Sequence, residues 1–157
     1  MSSFLLSGLS PTLFADLFQL DDAALAARHI ARVTATGASG FPCRISLADA
    51  PEGEELLLLS FQHQPADSPY RASGPIFVRR GVARAELRVN EVPSQVQRRL
   101  MSLRAYSVED RIIFAEVCDG RDVGEWLHHV FDDAAVAYVH LHFARYGCFA
   151  CRADRVS

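Results

Sequence analysis

"EELLLLSFQHQPADSPYRASGPIFVRR" (54–80) is the stretch whose reading decides the fold class. Its first run, through Leu56–Leu59, is apolar on both faces and reads as a central strand; "PIFVRR" (75–80) reads as the strand that pairs with it. No helix-period segment lies between them, so the two runs are expected to be antiparallel neighbours. The intervening "HQPADSPYRASGP" (63–75) is rich in proline and Asx-turn residues and is expected to form one long, ordered loop.

The same period of two extends in both directions. In "GFPCRISL" (40–47), alternation sets Phe41, Cys43, Ile45 and Leu47 on one face and Arg44 and Ser46 on the other. "LMSLRAYS" (100–107) and "RIIFAEVC" (111–118), joined by the turn-like "VED", read as a hairpin. "AYVHLHF" (137–143) puts Val139, Leu141 and Phe143 on one side and Tyr138, His140 and His142 on the other.

Helical periodicity is confined to short pieces. Ser10-Pro11 opens a predicted helix over 11–19, and Asp21 or Asp22 starts another through "AALAAR". "SQVQRR" follows Pro93, and Asp122 with Glu125 makes a capping-box pattern for a helix over 122–132. His128 and His129 in that last helix point about 100° apart and are read as structural. The expectation is an α+β fold: residues 1–157 as a single domain with a curved, largely antiparallel sheet of six to eight strands and a few helices packed on one side. A doubly wound fold is disfavoured because the strands come in runs and no glycine-rich nucleotide fingerprint is present.

Composition removes several function classes. With 157 residues, 50% of them hydrophobic, and a formal charge of −3, the chain has core enough to fold and no basic excess with which to grip phosphate backbones. No nucleic-acid partner is expected. There is no apolar stretch of spanning length and no basic, apolar leader at the amino terminus, so a cytoplasmic protein without a membrane partner is expected. Its four cysteines are then read as thiols. All sixteen basic residues are arginine, so a single arginine carries meaning only where a planar fork suits a carboxylate or phosphate.

The densest chemistry is "YVHLHFARYGCFACR" (138–152). His140 and His142, at i and i+2 on one strand face, could converge on a metal ion. Cys148 and Cys151, on a strand, would face opposite ways and do not make a pair; Cys148 alone could be a nucleophile activated by His140 or His142. The residues name no cofactor.

The blocks "GFPCRISL", "LLLLSFQHQPADSPYRASGPIFVR" (56–79) and "YVHLHFARYGCFACRAD" (138–154) together resemble a family of small bacterial proteins catalogued as a domain of unknown function. The resemblance covers most of the chain and implies a compact domain but no particular activity. A tyrosine more usually follows the Gly-Cys pair in that pattern, where this chain has Phe149, so Phe149 is left off the candidate site.

If the three blocks adjoin, they form a pocket for a small anion. Arg44, Tyr70, Arg71, His142 and Arg145 would bind it, and His63, His140 and Cys148 would be the catalytic candidates. The first expectation is thus a binding protein or enzyme for an anionic metabolite. The alternatives are a metal-binding protein that uses His140 and His142, and a structural or interaction protein, for which a homodimer is an open option.

Overall fold

Eight strands in two antiparallel sheets carry the chain in the computed structural model, which describes residues 1–157. In chain order these are β1 (Ser3–Ser7), α1 (Asp22–Ala27), β2 (Ala31–Thr34), β3 (Glu55–Gln64), β4 (Ala72–Arg79) and α2 (Ser94–Gln97). They are followed by β5 (Leu100–Tyr106), β6 (Ile112–Asp119), α3 (Val123–Val130), β7 (Tyr138–Phe143) and β8 (Phe149–Val156). One sheet has the order β1-β8-β7-β5-β6, the other β2-β3-β4. The fold is α+β with largely antiparallel strands, as the period of two implies.

β3 is the centre of the smaller sheet, flanked by β2 and β4, which explains why its Leu56–Leu59 run is apolar on both faces. Leu57, Leu59, Ile76 and Val78 pack there with Phe14, Phe18 and Leu25 from the N-terminal segment. The larger sheet packs Leu103, Val139, Leu141 and Ala153 against Val123, Leu127 and Phe131 of α3 and its end. β5 and β6 form the expected hairpin, and Asp110 takes a positive φ of 59° in its turn.

Several local expectations give way. "GFPCRISL" is not a strand: only isolated bridges, Pro42 with Asp49 and Cys43 with Phe77, tie it to its neighbours, and Leu47 has φ 53°. It is a buried turn, with Cys43, Arg44, Ile45 and Leu47 all inside, so Arg44 does not sit on a solvated polar face. Gly8 holds this turn in place: Leu9 N–H donates to the Arg44 carbonyl at 2.8 Å, and a Cβ at position 8 would collide with the Ile45 carbonyl.

The predicted helix over 11–19 is two 3-10 turns, Pro11–Leu13 and Ala15–Gln19. Asp122 makes no capping bond to α3; Asp119 instead accepts from the Arg121 N–H at the start of the 3-10 turn Gly120–Asp122. α1 does start at its predicted cap, Asp21, whose carboxylate accepts from Ala24 N–H at 2.8 Å. The loop expected over 63–75 is shorter, because β3 runs on to Gln64 and β4 begins at Ala72.

Candidate functional site

β7 alternates as its sequence says, but both of its faces are buried. The register sets Arg104 opposite His140 and Ser102 opposite His142 on β5, and Arg152 opposite His140 on β8. A bulge between Leu141 and His142 lets Ala150 and Cys151 both enter the core while Phe149 stays on the histidine face. Phe149 stacks on His63 with ring centroids 5.5 Å apart and an interplanar angle of 11°. The tip of β3 thereby joins the histidine face, with His63 also 4.9 Å from His142 and 6.2 Å from His140 between ring centroids.

The cluster of His63, His140 and His142 is electrically neutral. Burial pushes the His140 and His142 imidazoles down to about 3; His142, His63 and nearby arginines add to this at His140, and Arg104, His63 and Arg44 add to it at His142, where the Gly147 carbonyl opposes them. His63 is also lowered, by burial first and then by Arg104. His142 has both nitrogens engaged: Nδ1 lies 3.0 Å from the Gly147 carbonyl, and Nε2 lies 3.4 Å from Arg104 Nη1. Nδ1 therefore carries the proton and Nε2 accepts. His140 packs among Tyr106, Tyr138 and Phe149, and its Nδ1 is buried without a hydrogen-bond partner.

This arrangement does not favour the metal reading. A ring bound at about 2.1 Å puts its centroid about 3 Å from the ion, so two rings sharing a tetrahedral ion stand about 5 Å apart. The His140 and His142 centroids are 6.5 Å apart; His63 and His142, at 4.9 Å, are closer, but the Arg104 guanidinium stands 3.4 Å from the His142 Nε2 that an ion would need. No three His, Cys, Asp or Glu side chains are grouped to hold an ion.

A cavity of about 660 Å³ opens on the other side of the Gly147–Phe149 segment. Phe41, Leu58, Pro75, Phe77 and Phe143 give it apolar walls, while Arg44, Arg98, Arg99, Arg145 and Cys148 supply polar groups. Its size suits a small-molecule ligand, and so does the mixture of apolar wall and a few polar groups.

The turn between β7 and β8 aims Cys148 into this space. Phe143 N–H donates to the Cys148 carbonyl at 2.9 Å, Gly147 N–H donates to Phe143 at 2.7 Å, and Gly147 has φ 77°, a conformation in which glycine is unstrained. Arg44, only 1% exposed, reaches across from the buried turn. Its Nε donates to the Phe149 carbonyl at 2.7 Å, its Nη1 to Pro42, and its Nη2 to Cys148 Sγ at 3.0 Å. Burial lowers the guanidinium from its ordinary value, and Cys148 is the first group opposing that shift.

The remaining charge around the cavity is unbalanced. Asp49, almost fully buried, pairs with both Arg98 at 2.6 Å and Arg99 at 2.9 Å. No acidic side chain lines the cavity, and Arg44 and Arg145 form no ion pair. Arg44 and Arg99 also lie over the Phe143 ring, 4.9 and 5.2 Å from its centroid.

The sequence-predicted residues thus fall into two groups on either side of Phe149. Arg44, Arg145 and Cys148 line the cavity; His63, His140 and His142 form the neutral cluster behind it. Tyr70 and Arg71 reach neither: Tyr70 packs edge-on to Tyr106 at 6.3 Å, and Arg71 is exposed in the β3–β4 loop. Sequence reasoning missed Arg98, Arg99 and Tyr146. The adjacent Arg98-Arg99 pair, with nearby acids too few to balance it, is the signal that could have found the first two.

No helix is long and apolar enough to cross a membrane. No curated protein and no solved structure matches the chain. A family described as "Protein of unknown function (DUF1203)" matches residues 40–155, a span that includes every cavity residue named above, and the chain belongs to that family.

Proposed function

We propose that the cavity binds a small amphipathic anion, a carboxylate or phosphate ester carried on an apolar or aromatic body. The observation that carries this reading is the surplus of guanidinium: four arginines line a cavity that no acid lines, and Asp49 behind it offsets part of their charge. Such a surplus costs stability in the empty protein and is relieved by an anion, which arginine can hold through two parallel N–H donors. The apolar walls favour a ligand with a hydrophobic body over inorganic phosphate alone.

In this reading Arg145, without an ion-pair partner, and Arg98 at the mouth take the anion. Arg44 and Cys148 lie deeper, and Cys148 is the nucleophile placed to react if the bound molecule is an electrophile. The histidines shape the wall through Phe149. Tyr70 and Arg71 have no role at this site.

Calorimetric titration with a panel of aromatic and aliphatic carboxylates and phosphate monoesters tests the proposal. Binding that favours apolar-bodied anions and weakens about tenfold or more in Arg145→Ala or Arg98→Ala supports it. Absence of binding across the panel, or binding indifferent to both substitutions, overturns it.

A further inference from the structure

The outer edge of β6 is open, since β6 is the terminal strand of the five-stranded sheet and pairs with β5 on its other side. Ile113, Phe114 and Val117 are 38%, 45% and 56% exposed along it. Soluble proteins usually blunt such an edge with lysine, proline or a covering segment, because a free row of N–H and C=O groups templates another strand. Here the strand has neither lysine nor proline, and α3 comes near only its Glu116–Cys118 end. Val117 N–H, facing the open side, is taken at 2.9 Å by the carboxylate of its neighbour Glu116. Alternation then puts the Ala115 donor and acceptor on the same open side.

The strand is its own complement. With Ala115 at the centre of an antiparallel pair of identical strands, Ile113 faces Val117 and Arg111 faces Asp119, and each pairing occurs twice. Arg111 forms no ion pair within the chain, while Asp119 is exposed and pairs with Arg121 in a surface contact. The small Ala115 side chain leaves the crossing point uncrowded. A shift of this register by one residue would set the apolar positions against opposite faces and lose both charge pairs.

We propose that β6 pairs with β6 of a second copy of this chain, antiparallel about a two-fold axis at Ala115, joining two five-stranded sheets into one of ten strands. The Glu116 carboxylate then yields Val117 N–H to the Ile113 carbonyl of the second copy. The surface lies apart from the arginine-lined cavity and does not depend on what that cavity binds.

Sedimentation analysis of the untagged full chain over a wide concentration range is the test. The expected result is a reversible dimer that Val117→Lys weakens at least tenfold with an unchanged circular-dichroism spectrum, as befits a residue already more than half exposed. Arg111→Asp and Asp119→Arg should each weaken it, and the double exchange should restore it. A monomer at every concentration overturns the proposal. So does a dimer indifferent to Val117→Lys, or a double exchange no tighter than its two parents.

Discussion

Arg44 Nη2 stands 3.0 Å from Cys148 Sγ, and no carboxylate pairs with that buried guanidinium. The sulfur is the first group opposing the effect of burial on Arg44. A cation held against sulfur at the wall of an accessible cavity is the setting in which cysteines react. Cys43 and Cys151 have no such setting; they are buried in the core, where burial pushes the Cys151 thiol up to about 12.

Selective alkylation follows from this. Cys148 should be modified ahead of the other three cysteines, and the arginine-lined cavity should favour iodoacetate over neutral iodoacetamide when compared with the half-buried Cys118. The thiol sulfur displaces iodide from carbon and its proton goes to solvent. Peptide mapping by mass spectrometry reads the site and the ratio. Arg145→Ala should lower the iodoacetate preference severalfold; an unreactive Cys148, or a preference no different from that of Cys118, removes it as the reactive group.

The same contact makes Arg44 structural. Arg44→Met keeps much of the volume but leaves the Phe149 and Pro42 carbonyls without their donor, and two buried acceptors cost about 2–4 kcal/mol together. Arg145→Ala, on an exposed side chain with no ion pair, should stay within about 0.5 kcal/mol of the parent. Urea unfolding midpoints distinguish the two, and equal effects would contradict the contrast in burial.

How much of this was legible in sequence depends on what each residue answers to. Alternation in "AYVHLHF" and the both-faced apolar run at Leu56–Leu59 are local consequences of strand geometry, and both hold. "GFPCRISL" alternates equally well yet forms a buried turn, because contacts far away in the chain fix it: Gly8 against its backbone, and Phe149 receiving the Arg44 side chain. Periodicity carries no information about such partners. For the same reason the sequence singled out Arg44, Cys148 and the histidines but set them in one pocket. Only the bulge at Leu141/His142 shows Phe149 dividing them.

Stability should fall in mild acid. His140 and His142 are held neutral by burial, with their values pushed from 6.5 down to about 3, whereas in the unfolded chain they protonate near 6.5. The unfolded state therefore binds more protons throughout that window, and each group removes about 1.4 kcal/mol of stability per pH unit as pH falls from about 6.5 towards 3. Between pH 6.5 and 5, where the unfolded histidines pass from half to nearly full protonation, the pair accounts for about 3 kcal/mol. Urea unfolding across this range checks the slope, and His140→Leu should reduce it by about half while removing the orphaned Nδ1. A flat profile would contradict the burial of these rings.

Gly147 sets the direction of Cys148, and its substitution separates stability from reactivity. At φ 77° an alanine is strained although no atom lies within 4 Å of the new Cβ, so Gly147→Ala meets a conformational cost of about 1 kcal/mol and no clash. The turn can lower that cost only by rotating away from positive φ. Doing so weakens the bond from Gly147 N–H to Phe143 and moves the Gly147 carbonyl that holds His142 Nδ1. The expected result is a modest loss in urea midpoint together with a severalfold fall in Cys148 alkylation by iodoacetate. Unchanged alkylation at reduced stability would mean that Arg44 alone holds the sulfur in place.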